Sequence, residues 1–371
     1  MNQGVKISSY QFLVLVTFFS IGTSILVIPS LLAAEAKQDA WIVAILGTGI
    51  GLLVIWLFCT IAQWFPHLTF IQLNEKILGK WVGKAASLLF LFMSLIYTSI
   101  LLYYSGTFLN TLLMPNTPMA ALNILMAIII VMGVRLGLET IARSAEILIL
   151  LFFVLFLLLI LFISPEVKFE NVQPVVEAET STIFQTSIFF IEVTSVNAIV
   201  LLMIFPAFIN NIKQAKKSFL FGNLIGGIAI TIITFLCISV LGADNTATQI
   251  YPGFELAKRI NVGMFIQRIE AFMAALWIIA LYFKATLYFY ASVLGVAQVL
   301  NLKDYRPLTM PSGMIVVVLS LIIFPNVVHQ QNWDATTSPF ISFSIGLILP
   351  LLMVVVYAIR KKQLKKVPIG S

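Results

Sequence analysis

The sequence predicts an all-α integral membrane protein with ten transmembrane helices, built as a five-plus-five inverted repeat in which helices 1 and 6 are discontinuous. Three observations lead to this prediction. The 371 residues are 60% hydrophobic and only 10% charged, and their mean hydropathy is +1.05. The apolar residues gather into ten segments that carry few charges. Polar residues interrupt the first and sixth segments, a pairing typical of membrane folds with an internal inverted repeat.

Each apolar segment is long enough to cross the hydrocarbon core of a bilayer as a helix, which takes about 17–25 residues. The predicted spans are 10–34, 40–64, 85–113, 119–136, 143–164, 183–206, 218–242, 265–292, 311–329 and 337–359. An acidic connection, residues 164–182, separates the fifth span from the sixth. We therefore expect a single polytopic membrane domain over residues 1–371, with a first repeat at about 10–164 and a second at about 183–359.

Lysine and arginine residues set the orientation of the predicted spans. Most of the 22 basic residues fall on the side that holds both termini. The opposite side holds Lys37, Lys168, Lys258, Arg259 and Arg268. By the positive-inside rule both termini are cytoplasmic, which also requires an even number of spans. The net charge of +7 therefore marks connections that contact the lipid bilayer, and it does not indicate a nucleic-acid partner.

The residue types that carry soluble enzyme chemistry are scarce in this chain. Cys59 and Cys237 both lie inside apolar segments, and His67 and His329 lie near the ends of spans. No catalytic or metal-binding spacing is present in the sequence. We expect no enzymatic activity, no cofactor and no metal site.

The first span carries Gly22, Thr23 and Ser24 at its middle, with Pro29 a turn and a half later. One interpretation is a face of small residues that packs against another helix. The other is a broken helix, because glycine lowers the cost of leaving helical geometry and hydroxyl groups can satisfy freed backbone groups. A break would direct the N–H groups near Ser24 to Leu26 at a cavity, where they would form an anion site.

The sixth span has a similar polar interruption over residues 185–197, where polar groups surround Glu192. Because interruptions at corresponding positions of two halves mark the binding site of inverted-repeat folds, this second cluster favours the broken helix in span one. An intramembrane carboxylate suggests function by default. Glu192 could hold a ligand ammonium, take part in ion coupling or gating, or cap broken backbone as a neutral acid.

Span eight presents two different faces to its neighbours. Trp277 and Lys284 lie on one stripe, whereas Thr286 and Tyr290 lie on another, and one pocket cannot easily use both. Lys284 is either a fixed ammonium that occupies a cation site or pairs with a buried carboxylate, or a side chain that extends to the cytoplasmic interface. Its role in ion coupling or gating stays open at this stage. Thr286 and Tyr290 offer hydroxyl groups to a ligand.

Span three adds hydroxyl groups that either line a cavity or allow close helix packing. The full set of candidate ligand-binding residues is Gly22, Thr23, Ser24, Ile25, Tyr97, Thr98, Glu192, Ser195, Asn197, Thr286 and Tyr290.

Several stretches in this order and spacing resemble the spore germination permease family, within the amino acid–polyamine–organocation superfamily. They are Gly22-Thr23-Ser24-Ile25 with Pro29, Lys37-Gln38-Asp39-Ala40-Trp41, Phe108-Leu109-Asn110, Met114-Pro115-Asn116-Thr117-Pro118, Gly137-Leu138-Glu139-Thr140-Ile141-Ala142-Arg143-Ser144-Ala145-Glu146, Phe205-Pro206, and Arg268-Ile269-Glu270-Ala271-Phe272 with Trp277. The segment at 137–146 is the most specific, and the resemblance covers nearly the whole chain.

The resemblance implies a nutrient sensor of the germinant receptor type, the membrane B-subunit, which works with an A-subunit and a lipoprotein C-subunit in the inner membrane of the bacterial spore. It also implies that the span-one break, Gly22 to Ser24, binds an amino acid carboxylate and that residues 192–197 complete the pocket. The chain departs from the superfamily's glycine-rich pattern, since a single glycine precedes Thr23 and Ser24.

The leading hypothesis is therefore a germinant receptor subunit that binds a small nutrient, a neutral amino acid, between spans one and six. The alternatives are a proton- or sodium-coupled amino acid transporter and a subunit of a ligand-gated ion channel. The sequence does not identify the ligand.

Overall fold

A computed structural model describes residues 6–260 and 269–364 of the chain. These residues form a bundle of helices joined by short connections. The α-helices are α1 (Ser9–Ile21), α2 (Ser24–Ala36), α3 (Ala40–Ala62), α4 (Phe70–Leu78), α5 (Lys80–Phe108), α6 (Met119–Leu136), α7 (Leu138–Ile163), α8 (Thr180–Thr194), α9 (Ile212–Leu241), α10 (Ala243–Thr248), α11 (Pro252–Lys258), α12 (Glu270–Val299), α13 (Arg306–Ile322), α14 (Val327–Asn332), α15 (Ser338–Phe343) and α16 (Leu349–Leu364).

The first predicted span is broken at its polar centre. α1 ends at Ile21, and α2 begins at Ser24 after two non-helical residues. Gly22 adopts φ +32° and ψ −118°, a backbone conformation that side-chain-bearing residues rarely take. The sequence alternative of a continuous packing helix is therefore wrong, and the broken helix is the observed form.

The sixth predicted span is broken as well. α8 ends at Thr194, Ser195 leaves the helical path, and Val196–Met203 continues as a 3₁₀-helix. The tighter 3₁₀ turn forms hydrogen bonds between residues three apart, so carbonyls at the end of α8 lose their usual helical donors. These carbonyls lie in the protein interior and need other partners.

Length and composition identify eight helical segments among the described residues that could cross a membrane, and α1 and α13 are shorter apolar helices. The number of these segments is lower than the ten predicted spans, partly because of the first span. The break isolates α1, while the 3₁₀ turn Lys37–Asp39 joins α2 to α3 in one long segment.

Several predicted bounds are wrong by a turn or more. α5 begins at Lys80 rather than 85, because its first turns carry lysines that solvate a helix end. The connection before it contains α4, an amphipathic helix whose apolar side is buried. The predicted start of span eight at 265, together with Arg268, lies outside the described residues.

The largest correction concerns the last span. It was predicted at 337–359, but helix extends from Val327 through α14, α15 and α16, with π-helical turns at Trp333–Thr337 and Ser344–Ile348. The polar residues 330–336, predicted to form an outer connection, therefore lie on a membrane helix. Extra residues in π turns often mark functional sites, because they redirect side chains.

α1 lies at the centre of the bundle, in contact with α7, α9 and α12. Its approach to α9 is close because α9 presents glycines: a side-chain carbon at Gly226 would lie 2.6 Å from Ser20 Cβ. Near-contact of two backbones through small residues is the usual mode of membrane helix packing.

The connection between the two groups of spans is held by Asp39, which is fully buried. Its carboxylate accepts hydrogen bonds from the backbone N–H groups of Val176, Glu177 and Ala178 at 2.7–2.8 Å. Hydrogen bonds that a carboxylate accepts from backbone N–H groups are stronger than those between neutral groups. Asp39 thus ties residues 176–178 of the acidic connection to the start of α3, beside the broken first span.

Candidate functional site

A cavity of about 290 Å³ lies between the broken first and sixth spans, and we call it the central cavity. Its volume is at the small end of the range of ligand pockets, about 300–1,000 Å³. It extends to the exposed residues Ile250 and Gln331, at the end of the bundle opposite to the described chain ends. The cavity is lined by six residues singled out in the sequence: Thr23, Ser24, Tyr97, Glu192, Asn197 and Lys284.

The start of α2 forms one wall of the central cavity. The first N–H groups of an α-helix have no acceptor within the helix, and the helix dipole gives them a partial positive charge. Ser24, which begins α2, is fully buried, and its hydroxyl has no hydrogen-bond partner among the described residues. This wall therefore offers unpaired donors to a negatively charged group.

Glu192 also lines the central cavity and is only 2% exposed. Its Oε1 accepts hydrogen bonds from the hydroxyls of Ser338 at 2.6 Å and Ser342 at 2.9 Å, both on α15. The Tyr97 hydroxyl lies 2.7 Å from Ser342 Oγ. Ser342 Oγ is also 3.0 Å from Asn197 Oδ1, so the single hydroxyl proton of Ser342 is shared between Glu192 and Asn197. Glu192 Oε2 makes no hydrogen bond within the described part of the chain, so it is available to a ligand.

Lys284 bridges the two breaks. Its ammonium donates to the carbonyl oxygen of Val193, freed at the end of α8, at 3.0 Å. Its methylene stem lies against Gly22, where a side-chain carbon would collide with Lys284 Cδ. The ammonium also sits 5.2 Å from the centre of the Phe19 ring, a favourable cation–π distance.

This geometry decides between the two interpretations of Lys284. The side chain is 3% exposed and points at broken backbone, so it does not extend to the membrane surface. The ion pairs formed within residues 6–260 and 269–364, Arg143–Glu139 and Lys258–Glu255, are elsewhere. Lys284 thus donates to a backbone carbonyl, and it forms no ion pair with a carboxylate among the described residues.

Asn223 of α9, which the sequence analysis did not assign to the site, binds the carbonyl of Thr194, the next one freed at the end of α8. Its Nδ2 donates to Thr194 O and to Ser20 Oγ, each at 2.9 Å, and its Oδ1 accepts from Ser195 Oγ at 3.2 Å. One amide therefore connects α1, just before its break, to both residues of the sixth-span break. Asn223 fixes the relative position of the two breaks.

Two aromatic residues of α12 leave polar atoms in the central cavity without protein partners. Trp277 and Tyr288 are at most 1% exposed, and neither Nε1 of Trp277 nor the Tyr288 hydroxyl has a hydrogen-bond partner in the described part of the chain. Because buried polar atoms are almost always paired, these atoms of Trp277 and Tyr288 mark places for ligand or water.

Near the opening of the central cavity, burial raises the pKa of Tyr251, so that its phenol stays neutral.

The structure does not bring all predicted residues to this cavity. Thr98 is buried in α5, where its hydroxyl donates to Ser94 O at 2.8 Å. Thr286 lies on the opposite side of α12, beside Gly133 of α6. Tyr290 lines a different cavity. The physical reason is helical rotation: Thr286 is ~160° from Lys284 around α12, as its sequence position requires.

The remaining predicted residues lie just outside the central cavity. Gly22 packs against the Lys284 stem, and Ser195 bonds to Asn223. Ile25 contributes backbone: Pro29 cannot donate to its carbonyl, and that oxygen lies 2.8 Å from where a side-chain carbon at Gly253 would be.

The second cavity, about 880 Å³, opens at the end that holds the described chain ends and the basic residues Lys6, Arg143, Lys303 and Arg306. We call it the terminal-side cavity. Aromatic pairs in the last turn of α1 lie between the two cavities: Phe18 with Phe283, and Phe19 with Tyr288, at ring-centre distances of 4.6 and 5.2 Å.

The sequence analysis missed the partners of Glu192 and a second carboxylate, Asp334, which also lines the central cavity. A signal was available, since Asp334, Ser338 and Ser342 recur every four residues and so share a helix face. The polar residues 330–336 obscure this signal, because their composition is typical of a connection between spans.

Fold and cavity together define the class: a polytopic membrane protein with a small cavity between two discontinuous helices. Solved structures share this fold. The crystal structure of MhsT in complex with L-phenylalanine has a TM-score of 0.66 at 14% identity, covering 95% of this chain and 99% of that one. Mhp1, a nucleobase-cation-symport-1 family transporter in a closed conformation with bromovinylhydantoin bound, has a TM-score of 0.70 at 11% identity, covering 96% and 80%.

The sequence profile of the family described as spore germination protein matches residues 6–330, and the chain belongs to this spore germination permease family. Spore germination protein KB of Bacillus subtilis (strain 168) is 29% identical over 374 residues, which cover 97% of each chain. The predicted family is therefore confirmed, as is the predicted all-α membrane fold with discontinuous first and sixth helices.

Proposed function

We propose that this chain is the ligand-binding membrane subunit of a nutrient germinant receptor and that its ligand is an amino acid. One observation carries the proposal. The central cavity is lined both by the donor groups at the start of α2, with the unpaired Ser24 hydroxyl, and by the buried carboxylate of Glu192. These walls are complementary to the carboxylate and the ammonium of an amino acid zwitterion. The fold neighbour with L-phenylalanine bound supports the same ligand class.

Ligand binding in such a receptor shifts the balance between two arrangements of the bundle, and it does so only through different affinities for them. The two breaks are connected by Lys284 and Asn223, so a ligand that contacts both walls alters their relative position. We propose that an A-subunit and a lipoprotein C-subunit transmit this change in the inner spore membrane, and that both termini are cytoplasmic. The excess of basic residues around the terminal-side cavity supports this orientation.

The test uses Ser24→Ala, a change that removes no hydrogen bond within the described part of the protein. In the purified full chain in lipid nanodiscs, the thermal midpoint without ligand should match that of the wild type. Amino acids that raise the midpoint of the wild type should bind the variant about tenfold or more weakly, since a hydrogen bond to a charged group contributes ~1.5–3 kcal/mol. Tyr290→Phe, which alters only the terminal-side cavity, is the matched control.

The same variants test the receptor function in spores whose nutrient response depends on this receptor. Ser24→Ala should shift the nutrient dose response to higher concentration, whereas Tyr290→Phe should not. Unchanged dose responses with normal receptor assembly would contradict the proposed site.

A second candidate function, proton- or sodium-coupled amino acid transport, is favoured by one observation: cavities lie at both ends of the bundle, separated by aromatic pairs. Uptake of a labelled amino acid into vesicles that contain this chain alone would support transport. Nutrient-triggered conductance in vesicles that contain the whole receptor would support an ion channel instead. Binding without uptake or conductance would support the sensor.

We further propose that a sodium ion is not needed for binding, because the Lys284 ammonium already satisfies the broken backbone at Val193. Affinity should then be equal in sodium and choline buffers. A tenfold loss of affinity without sodium would contradict this role of Lys284.

A further inference from the structure

The outer part of the central cavity contains a carboxylate that the proposed amino acid site does not use. Asp334, in the π-helical turn Trp333–Thr337, lines the cavity. Its Oδ1 accepts a hydrogen bond from the Tyr104 hydroxyl at 2.5 Å, and its Oδ2 lies 3.4 Å from Gln330 Nε2. A carboxylate has about four acceptor positions, so Asp334 retains capacity for further donors.

Asp334 lies one helical turn beyond the residues that hold Glu192. Ser338 and Ser342, which donate to Glu192, follow Asp334 at intervals of four on the same helix. Glu192 is only 2% exposed, whereas Asp334 is partly exposed, so Asp334 lies closer to the opening of the cavity.

The carboxylates that line the central cavity outnumber the single ammonium group of a simple zwitterion. Among the described lining residues, Glu192 and Asp334 are acidic and Lys284 is basic. The Lys284 ammonium is engaged by the Val193 carbonyl. A ligand ammonium at Glu192 would leave Asp334 without a donor from the ligand. Gln249, Gln330 and Gln331 surround this outer region, which makes it a polar subsite.

We propose that the ligand carries, at the end of its side chain, a nitrogen donor that Asp334 binds. This inference rests on the proposed amino acid site and specifies the ligand class: an amino acid whose side chain ends in an amine or a primary amide. Glutamine and ornithine are members of this class, and in each of them five bonds join the two nitrogen atoms.

The buried polar atoms of the same cavity supply independent support for a polar ligand. Ser24 Oγ, Trp277 Nε1 and the Tyr288 hydroxyl lack hydrogen-bond partners within residues 6–260 and 269–364, and all three residues are at most 1% exposed. A cavity made to hold an aliphatic side chain alone would not leave such donors exposed to it.

The test compares ligands of equal length on the purified full chain in nanodiscs. L-glutamine and L-ornithine carry the terminal nitrogen, and L-norleucine is the aliphatic control. The inference expects glutamine or ornithine to bind the wild type at least tenfold more tightly than norleucine, measured by the shift of the thermal midpoint with concentration. Asp334→Leu should abolish this preference.

Asp334→Asn separates the two members of the ligand class. The asparagine keeps an oxygen acceptor but no charge, so it should preserve a preference for glutamine and abolish one for ornithine. If norleucine or L-alanine bound the wild type as tightly as both nitrogen-bearing ligands, the inference would be overturned while the amino acid site would stand. If none of these amino acids, nor any other L-amino acid, shifts the wild-type midpoint, both the inference and the proposed site fail. The comparison of ligands on the wild-type protein does not depend on whether any variant folds.

Discussion

The substitution Gly22→Ala tests whether the break in the first span and Lys284 form one unit. Gly22 has φ +32°, and an added side-chain carbon would collide with Lys284 Cδ. The lysine stem would have to move, and the ammonium would then lose the carbonyl of Val193, which it now contacts at 3.0 Å. The substitution therefore acts on the backbone and on a buried charge at once.

The expected cost has two parts. A side-chain-bearing residue in a sparsely populated backbone conformation costs about 1–3 kcal/mol. Loss of the charge-assisted hydrogen bond between Lys284 and Val193 costs ~1.5–3 kcal/mol. Together they predict a destabilisation of about 2.5–6 kcal/mol, a drop in thermal midpoint on the order of 5–10 °C. Amino acid affinity should fall as well, because the ligand wall at the start of α2 moves with the break.

A double-mutant cycle separates the two parts. In a Lys284→Ala background, the clash and the ammonium are both absent, so Gly22→Ala should cost only the backbone part. Thermal midpoints of the four proteins in nanodiscs measure the difference. The control is Gly49→Ala in α3, where an added carbon meets nothing within 4 Å and a helical alanine is favoured over glycine. An equal cost of Gly22→Ala in both backgrounds would refute the contact with Lys284.

Two further variants test the contacts that hold the breaks and the outer loop in place. Asp39→Asn should destabilise the protein by about 2–4 kcal/mol, because one carboxylate oxygen is replaced by a donor that faces a backbone N–H. The control is Glu177→Gln, which changes an exposed carboxylate and should not destabilise the protein. Equal thermal midpoints for the two variants would contradict the role of Asp39. Asn223→Leu keeps the branching of the side chain at Cγ but leaves a buried carbonyl at the sixth-span break unpaired, so it should cost about 1–3 kcal/mol and weaken amino acid binding. Unchanged stability and affinity would show that the two breaks are positioned by other contacts.

Local chemistry explains why the breaks were predictable. Gly22 and the hydroxyl residues after it lower the cost of leaving helical geometry, and Glu192 is expensive in a membrane unless its surroundings are polar. These are properties of the residues themselves, so the sequence alone places the breaks within spans one and six. The apolar segments likewise reveal the class of fold, since only helices satisfy backbone groups in lipid without a closed sheet.

The partners across the cavity were not predictable in the same way. Thr286 and Lys284 are two residues apart, and the sequence offered both faces of α12 as candidates. The choice between them depends on the rotation of α12 against α1, which is set by packing of side chains far apart in the chain. That packing places Lys284 at Gly22 and Thr286 at Gly133.

The sequence by itself determined the membrane class and the two interrupted helices, because hydropathy, charge and helix-breaking residues act locally, and the order of its motifs indicated the family by resemblance. Only the tertiary structure decided which groups meet at the interruptions: the ammonium of Lys284 on a freed carbonyl, the amide of Asn223 on the next, and Ser338 and Ser342 on Glu192. These contacts join residues separated by 29 to 150 positions. A broken helix needs partners for its freed backbone groups, but helix packing determines which residues supply them.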